Sequence, residues 1–360
     1  MIKTLLEKVL KPGVSDLHLK AYEPPLIRHI GQLMPVGTTP LRPEDIESMV
    51  QGMLTENQQN IFNNAGSIDF SYPVEGMGRL RINVYRQRGT LAVAIRIISG
   101  EAKTFEQLHL PKEIMERVAR TNRGLLLVSG VTGAGKTTTL NAMINFMNEN
   151  FSYNIITLED PVEFVHTRKK SSISQREVGR DVESVAEGMK SILRQDPDVI
   201  VIGEMRTEAD FQAAIDAAGS GHLVLATLHS SDSTDAIDRI VNAFDFQEQP
   251  YVRAQLVSVI KSVVSQRLVP GLKDTRPYPA TETLTGTLQI KRLLATNSVA
   301  EIRFQLEKGS AFGMHTFDQD LLRMVEGGLI SQESALNQAT NSNDMRLKLQ
   351  GHVAPGEPGK

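Results

Sequence analysis

One octapeptide constrains the fold of this chain more than any other feature. Residues 130–137 read Gly-Val-Thr-Gly-Ala-Gly-Lys-Thr and match the phosphate-binding pattern G-x-x-x-x-G-K-[ST] at every fixed position. A short apolar run, 125–129, precedes them, and apolar residues at helical spacing follow over 138–147. A strand, a glycine-rich turn and a helix in this order place backbone N–H groups and a helix N-terminus around a phosphate. The sequence therefore predicts a P-loop unit that binds a nucleotide.

The residue types of this loop fit the groups of a bound nucleotide. Lys136 can reach the β and γ phosphates, and the Thr137 hydroxyl can ligate Mg²⁺. We therefore expect ATP and Mg²⁺ as cofactors. The loop residues assigned to the nucleotide are Gly130, Thr132, Gly133, Ala134, Gly135, Lys136, Thr137 and Thr138.

Further apolar runs in the same half, at 154–158, 199–202 and 223–227, also end in polar residues. Strands that alternate with helices predict a parallel sheet, in which all carboxyl ends share one edge and ligands bind there. The polar residues that follow these runs are Glu159, Asp160, Glu163, Glu204 and His229. We expect them to converge with Lys136 on the phosphate tail.

Each of these residues has a functional and a structural interpretation. Glu204 fits the residue that polarises the attacking water, but it can also be a solvated acid at a strand end. Most P-loop enzymes carry an Mg²⁺-binding aspartate just before that position. Gly203 occupies this place here, so we assign the metal to Glu159 and Asp160.

The remaining candidates leave two interpretations open. Glu163 is a second catalytic candidate, or it caps the turn after Pro161. His229 is a sensor of the γ-phosphate, or a packed histidine at a strand end. His222 follows Gly221 and is assigned either to the nucleotide or to the structure.

Composition excludes several classes of protein. The chain has 360 residues, a net charge of −3 and 5% aromatic residues, and it lacks cysteine. These values offer neither a basic stripe nor a stacking platform, so we expect no nucleic acid as partner. The sequence contains no run of 18 apolar residues and no secretory signal pattern. We therefore expect a cytoplasmic protein.

The pattern along the chain predicts two domains. Residues 1–98 mix strands and helices and predict an α+β domain; 99–110 predict a linker; 111–350 predict the P-loop domain; and 351–360, rich in Gly and Pro, predict a disordered tail. In the first half we predict helices over 1–10, 43–53 and 56–63, and strands near 16–19, 26–30, 67–72, 79–87 and 90–98.

Several segments together resemble the secretion ATPases of type II and type IV pilus systems, and in particular their pilus-retraction branch, PilT/PilU. These segments are 15–19 (SDLHL), the Walker A loop 130–137, the acidic box 159–163 (EDPVE), 175–179 (QREVG), 193–198 (LRQDPD), the Walker B segment 201–206 (VIGEMR) and the His box 221–229. The resemblance covers nearly the whole chain.

The resemblance implies a PAS-like N-terminal α+β domain, a RecA-like P-loop ATPase domain with a mostly parallel sheet and a helical C-terminal region, and a ring-shaped homo-hexamer. It also implies that Arg81, Arg88 and Arg96 reach the nucleotide as catalytic residues, although by themselves they equally fit a solvated basic face. It further implies a pilus platform protein of the inner membrane as partner, and a peripheral location at that membrane's cytoplasmic face.

The function that the resemblance implies is ATP hydrolysis that powers or assists type IV pilus retraction, the basis of twitching motility. Residues 289–295 match the retraction motif of PilT poorly, and 312–319 with 342–347 look more like PilU. We therefore expect a PilT-type paralogue as a further partner. The alternatives are a secretion or conjugation ATPase of the same family, and a nucleotide-gated scaffold with low turnover.

Overall fold

The computed structural model describes Val9 and residues 14–29, 32–74, 78–98, 102–272 and 276–351. The chain divides into two compact units. The first contains Met1–Glu101, Leu158–Thr167 and Gln175–Ser184, and the second contains Ala102–Thr157, Arg168–Ser174 and Val185–Lys360. The helix predicted over 1–10 and the tail predicted over 351–360 lie outside the described residues except at Val9 and Gly351, as does the start of the predicted linker.

The first unit is built on a six-stranded sheet whose assigned pairings are all antiparallel. Its strands are β1 (Val14–Lys20), β2 (Leu26–His29), β3 (Gln32–Pro35), β4 (Ser67–Val74), β5 (Gly78–Gln87) and β6 (Thr90–Ile98). The strand order across the sheet is β3-β2-β1-β6-β5-β4. A two-residue turn at Arg88 and Gly89, both with positive φ, joins β5 to β6, which is the turn geometry that suits a twisted hairpin.

Among its described residues, this unit also contains the helices α1 (Pro43–Gln51) and α2 (Glu56–Ala65). Thr55 begins α2 through a capping box with Gln58, which satisfies backbone N–H groups at the helix start. Alternate residues of the strands point into one core, in which Leu17 and Ile82 are fully buried with Ile46 of α1. This arrangement confirms the α+β class predicted for the first half.

The second sheet has seven strands in the order β13-β12-β7-β11-β10-β8-β9. They are β7 (Gly124–Ser129), β8 (Asn154–Glu159), β9 (Ser172–Glu177), β10 (Val199–Ile202), β11 (Leu223–Leu228), β12 (Ile260–Pro270) and β13 (Pro277–Thr285). Strands β10, β11, β7 and β12 pair in parallel, and β13 pairs antiparallel with β12. Every residue of β7, β10 and β11 is buried, as expected where helices cover both faces of a parallel sheet.

The second unit contains the remaining helices. They are α3 (Lys112–Ala119), α4 (Lys136–Asn150), α5 (Val185–Ile192), α6 (Glu208–Gly219), α7 (Ser233–Val241), α8 (Gln249–Val259), α9 (Leu288–Ala295), α10 (Val299–Lys308), α11 (Phe317–Glu326), α12 (Gln332–Gln338) and α13 (Ser342–Gly351). The last three pack around a small core that includes Phe317, Leu321 and Met345. Over the described residues, no helix has the length and apolar character needed to span a bilayer.

The mostly parallel sheet and the helical C-terminal region are confirmed, but the sequence did not reveal β3, β9, β12 and β13. All four residues of β3 are exposed, so no apolar alternation marks that strand. In β12 the polar residues Ser262, Ser265 and Gln266 are buried among valines, and this mixture conceals the strand. The predicted domain boundaries stay a prediction.

Candidate functional site

The phosphate loop lies between the carboxyl end of β7 and the start of α4. Gly130, Gly133 and Gly135 have positive φ angles of 153°, 79° and 86°, which a residue with a side chain adopts only with strain. Gly135 is the N-cap of α4. The loop backbone therefore turns directly into a helix N-terminus, where a bound phosphate gains from the helix dipole and the free N–H groups.

Lys136 is folded back onto this loop. Its ammonium donates to the carbonyl oxygens of Gly130 (2.9 Å) and Val131 (3.1 Å) and lies 3.3 Å from Nδ1 of His229. Burial lowers the pKa of Lys136, and the negative charge of Glu204 opposes that effect. The loop carbonyls thus hold the cation at the place where the phosphates of a nucleotide would bind it.

Glu204 and His229 come from neighbouring parallel strands. Glu204 follows β10 by two residues and His229 follows β11 directly, so both lie at the same sheet edge as the loop. Nε2 of His229 lies 2.6 Å from the Glu204 carboxylate, and Arg206 donates to its other oxygen at 2.8 Å. Thr227 secures this edge by donating to the Gly203 carbonyl oxygen at 2.5 Å.

Electrostatics keep Glu204 ionised. Burial alone raises the pKa of Glu204, but the hydrogen bond and charge of Arg206, with the charges of His229 and Lys136, outweigh it and lower the pKa below its ordinary value. The structure therefore brings Lys136, His229, Glu204 and Arg206 into one connected group beside the phosphate loop. Their catalytic roles stay predictions.

The predicted acidic residues 159–163 belong to the first unit, because 158–167 groups with it. Glu163 lies 3.3 Å from Arg81, and Arg81 also donates to Asp69 at 2.7 Å. Glu159 is buried and accepts a hydrogen bond from Gln175 at 2.9 Å. The hydrogen bond with Asp69 raises the pKa of Arg81, and the negative charges of Asp69, Glu163 and Asp160 act in the same direction.

The three predicted arginines do not lie together. Arg81 and Arg96 are direct partners across β5 and β6, and Arg96 donates to Asp16 at 2.9 Å. They line a cavity of about 260 Å³ in the first unit. Arg88 is at the β5–β6 turn, seven residues and about 23 Å along the strand from Arg81. The structure therefore groups two of these arginines and separates the third.

His222 lies at the opposite edge of the second sheet from the phosphate loop. Its carbonyl oxygen accepts from the N–H of Gly124 at 2.9 Å, at the amino ends of β11 and β7, and its ring contacts Ser220 at 2.9 Å. A six-residue strand spans about 20 Å, which separates His222 from Lys136. The prediction that His222 joins the nucleotide group of its own chain is not supported by this placement, because a residue before a parallel strand faces the far edge.

Gln266 of β12 contacts the phosphate loop, and the sequence analysis did not indicate it. Its amide lies against the phosphate loop and donates to the Ala134 carbonyl oxygen at 2.6 Å. It belongs to no motif, and the strand that carries it was not predicted. A glutamine between valine-rich segments indicates a contact with the phosphate loop only after its strand is known to lie next to β7.

The residues present are compatible with Mg²⁺ bound together with a nucleotide. Among the described residues, no group of three or more His, Asp or Glu side chains is arranged to hold a metal by itself. Mg²⁺ in nucleotide sites is held by few protein ligands together with phosphates and waters. Thr137, in the first turn of α4, provides an oxygen of the kind that Mg²⁺ takes.

Comparisons with known proteins agree with this geometry. The chain is 38% identical over 338 residues to the protein named "Type IV pilus retractation ATPase PilT" of Pseudomonas aeruginosa, covering 94% of this chain and 98% of that protein. It is 37% identical over 345 residues to the Type IV pilus ATPase PilU of the same organism, covering 96% and 90%. The crystal structure of the pilus retraction motor PilT with bound ADP matches with a TM-score of 0.87 and 36% identity over 96% of this chain and 99% of that chain.

A family model supports the same relationship. Residues 1–309 match the model described as "Type II/IV secretion system protein". The matched range contains the phosphate loop, the acidic box, Glu204 and His229. With this match and the two long relatives above 30% identity, the chain belongs to the type II/IV secretion system protein family, as a relative of the pilus ATPases PilT and PilU.

Proposed function

We propose that this chain is an ATP-hydrolysing motor that powers or assists type IV pilus retraction. The observation that carries the proposal is the connected group of Lys136, His229 and Glu204 beside a complete phosphate loop. The long matches to PilT and PilU support the choice of substrate and process.

Lys136, Glu204 and His229 have the chemical groups that the steps of nucleotide hydrolysis need. On nucleotide binding, Lys136 exchanges the Gly130 and Val131 carbonyls for the β and γ phosphates. Glu204 orients a water and accepts its proton, for which an ionised carboxylate is required. His229, which contacts both Lys136 and Glu204, is placed to report whether the terminal phosphate is present. Thr137 would be a ligand of Mg²⁺, which when bound would neutralise phosphate charge.

The partners follow from the same relatives and belong to the proposal. We propose a homo-hexamer that acts at the cytoplasmic face of the inner membrane on the platform protein of a pilus. Arg81 and Arg96 of the first unit would stabilise charge on the transferred phosphoryl group. The poor match to the PilT motif at 289–295 supports cooperation with a PilT-type paralogue.

The test begins with Lys136→Ala, with Lys190→Ala as the matched control. Lys190 is an exposed lysine of the same unit that forms an ion pair with Glu187 at the surface. We expect Lys136→Ala to lose nucleotide affinity and steady-state phosphate release, because the charge paired with the β and γ phosphates is gone. Lys190→Ala should equal the wild type. Normal turnover in Lys136→Ala would refute the assigned site.

The second part of the test is done in cells. A strain without this protein should keep its pili, retract them weakly or not at all, and lose surface motility. Lys136→Ala should fail to restore motility, because the force comes from hydrolysis. Cells without pili would identify an assembly ATPase instead. Full rescue by Lys136→Ala would identify a nucleotide-gated scaffold, the alternative of a different class.

A further inference from the structure

The side chain of Gln266 joins the phosphate loop to the helix that follows it. Nε2 donates to the Ala134 carbonyl oxygen at 2.6 Å, and Oε1 accepts from the Thr139 hydroxyl at 2.6 Å. Gln266 is only 3% exposed and Thr139 only 1%. One buried amide thus uses both its donor and its acceptor on either side of Gly135.

The loop approaches Gln266 as closely as glycine allows. A Cβ atom on Gly130 would lie 2.5 Å from the Gln266 carbonyl oxygen, and one on Gly135 would lie 2.8 Å from Nε2. Real Cβ atoms are not found at such distances. At Gly133, by contrast, nothing lies within 4 Å of a Cβ. Within the loop, Gly130 therefore meets the backbone of β12, Gly135 meets the end of the Gln266 side chain, and Gly133 meets neither.

The bond to Ala134 determines the direction of a phosphate-binding group. Because a trans peptide is planar, the carbonyl of Ala134 and the N–H of Gly135 point in opposite directions. Gln266 holds that carbonyl, so the N–H of Gly135 points away from β12. In P-loop sites the backbone N–H groups of the loop cradle the phosphates.

Gln266 is itself held firmly. Its strand is paired on one side with β7 and on the other with β13. The next residue, Arg267, points to the opposite face of the sheet, where its guanidinium lies 3.9 Å from the ring centre of Phe317 and donates to the Gln338 carbonyl oxygen at 2.9 Å. A side chain that positions others must have its own conformation fixed, and that of Gln266 is fixed by its burial and by hydrogen bonds at both ends of its amide.

We propose that Gln266 is a positioning residue that sets the phosphate loop for nucleotide binding by orienting the Ala134–Gly135 peptide. This proposal rests on the proposed function of the nucleotide site. Gln266→Glu replaces the donor to Ala134 with an oxygen at nearly equal volume. We expect it to weaken binding of fluorescent ADP with Mg²⁺ by about tenfold or more, since small misplacements of binding groups are costly. Because the new carboxylate is buried, the melting temperature should fall as well, so ADP binding is measured on samples shown to be folded.

The matched control is Ser265→Ala. Ser265 and Ser129 share a buried hydrogen bond of 2.7 Å between the same two strands, but Ser265 does not bind Ala134 or Thr139. Its variant should bind ADP as the wild type does. Thr139→Val should weaken ADP binding severalfold, and Thr139→Ser, which keeps the hydroxyl, should restore it. If Gln266→Glu does not fold, the comparison of Thr139→Val with Thr139→Ser tests the role of the Gln266 side chain instead.

Three results would overturn the inference. Folded Gln266→Glu could bind ADP like the wild type; Ser265→Ala could lose as much affinity as Gln266→Glu; or Thr139→Ser could be as weak as Thr139→Val. The second would mean that packing between the strands, and the third that packing of the Thr139 side chain in α4, is responsible instead of loop orientation. If wild-type protein bound no ADP, the proposed function itself would fail, which is a different result from these.

Discussion

Glu204→Gln tests the chemical step separately from nucleotide binding. The substitution keeps the size of the side chain but removes the charge that accepts a proton from water. In the structure, the carboxylate of Glu204 lies 2.6 Å from His229 and 2.8 Å from Arg206. An amide can still accept from Arg206, so the geometry of the edge should survive. The variant should therefore bind ATP and hydrolyse it slowly.

The magnitude follows from the role and the exposure of the site. Loss of a positioned general base reduces kcat by about 10²–10⁴-fold, which is about 3–5 kcal/mol in the barrier. The cost in folding should be within about 1 kcal/mol, because the partners Arg206 and His229 are 59% and 33% exposed. Glu204→Gln should therefore lower kcat strongly while the free energy of unfolding stays nearly unchanged.

The assay is steady-state phosphate release, with ATP affinity and the melting temperature measured on the same samples. Glu208→Gln is the matched control, because Glu208 is an exposed acid four residues away in the first turn of α6. It should leave kcat unchanged. If Glu204→Gln keeps nearly normal turnover, Glu204 is not the base, and Glu159 or Glu163 becomes the better candidate.

Two further predictions concern the arginines and pH. Arg81→Ala and Arg96→Ala should each lower kcat by about 10³-fold with little change in melting temperature. Arg88→Ala, at the distant turn, should lower kcat much less. A melting temperature that falls together with kcat would favour a structural role for these arginines. Burial lowers the pKa of His315 below its ordinary 6.5, with Arg323 acting in the same direction and Asp320 against it. Below about pH 6.5 the unfolded chain binds a proton that the folded chain resists, so the free energy of unfolding should fall as pH decreases towards the folded pKa. Chemical denaturation at pH 7.5 and 5.5 should show a smaller loss for His315→Gln than for the wild type, and equal losses would refute this assignment.

The sequence alone determined the phosphate loop and the class of fold around it. Residues 130–137, their flanking strand and helix, and the apolar runs that end at Glu204 and His229 are local patterns. Local patterns set backbone geometry, and the carboxyl ends of parallel strands share one edge whatever the order of the strands. That is why Lys136, Glu204 and His229 could be expected together before the structure was known.

The tertiary structure decided everything that depends on pairing between distant segments. Gln266 meets Ala134 across 132 residues of sequence, and Arg81 meets Glu163 across 82. Neither contact can be recognised from a periodic pattern in the sequence, because strand order and register follow from the packing of the whole sheet and not from any one strand.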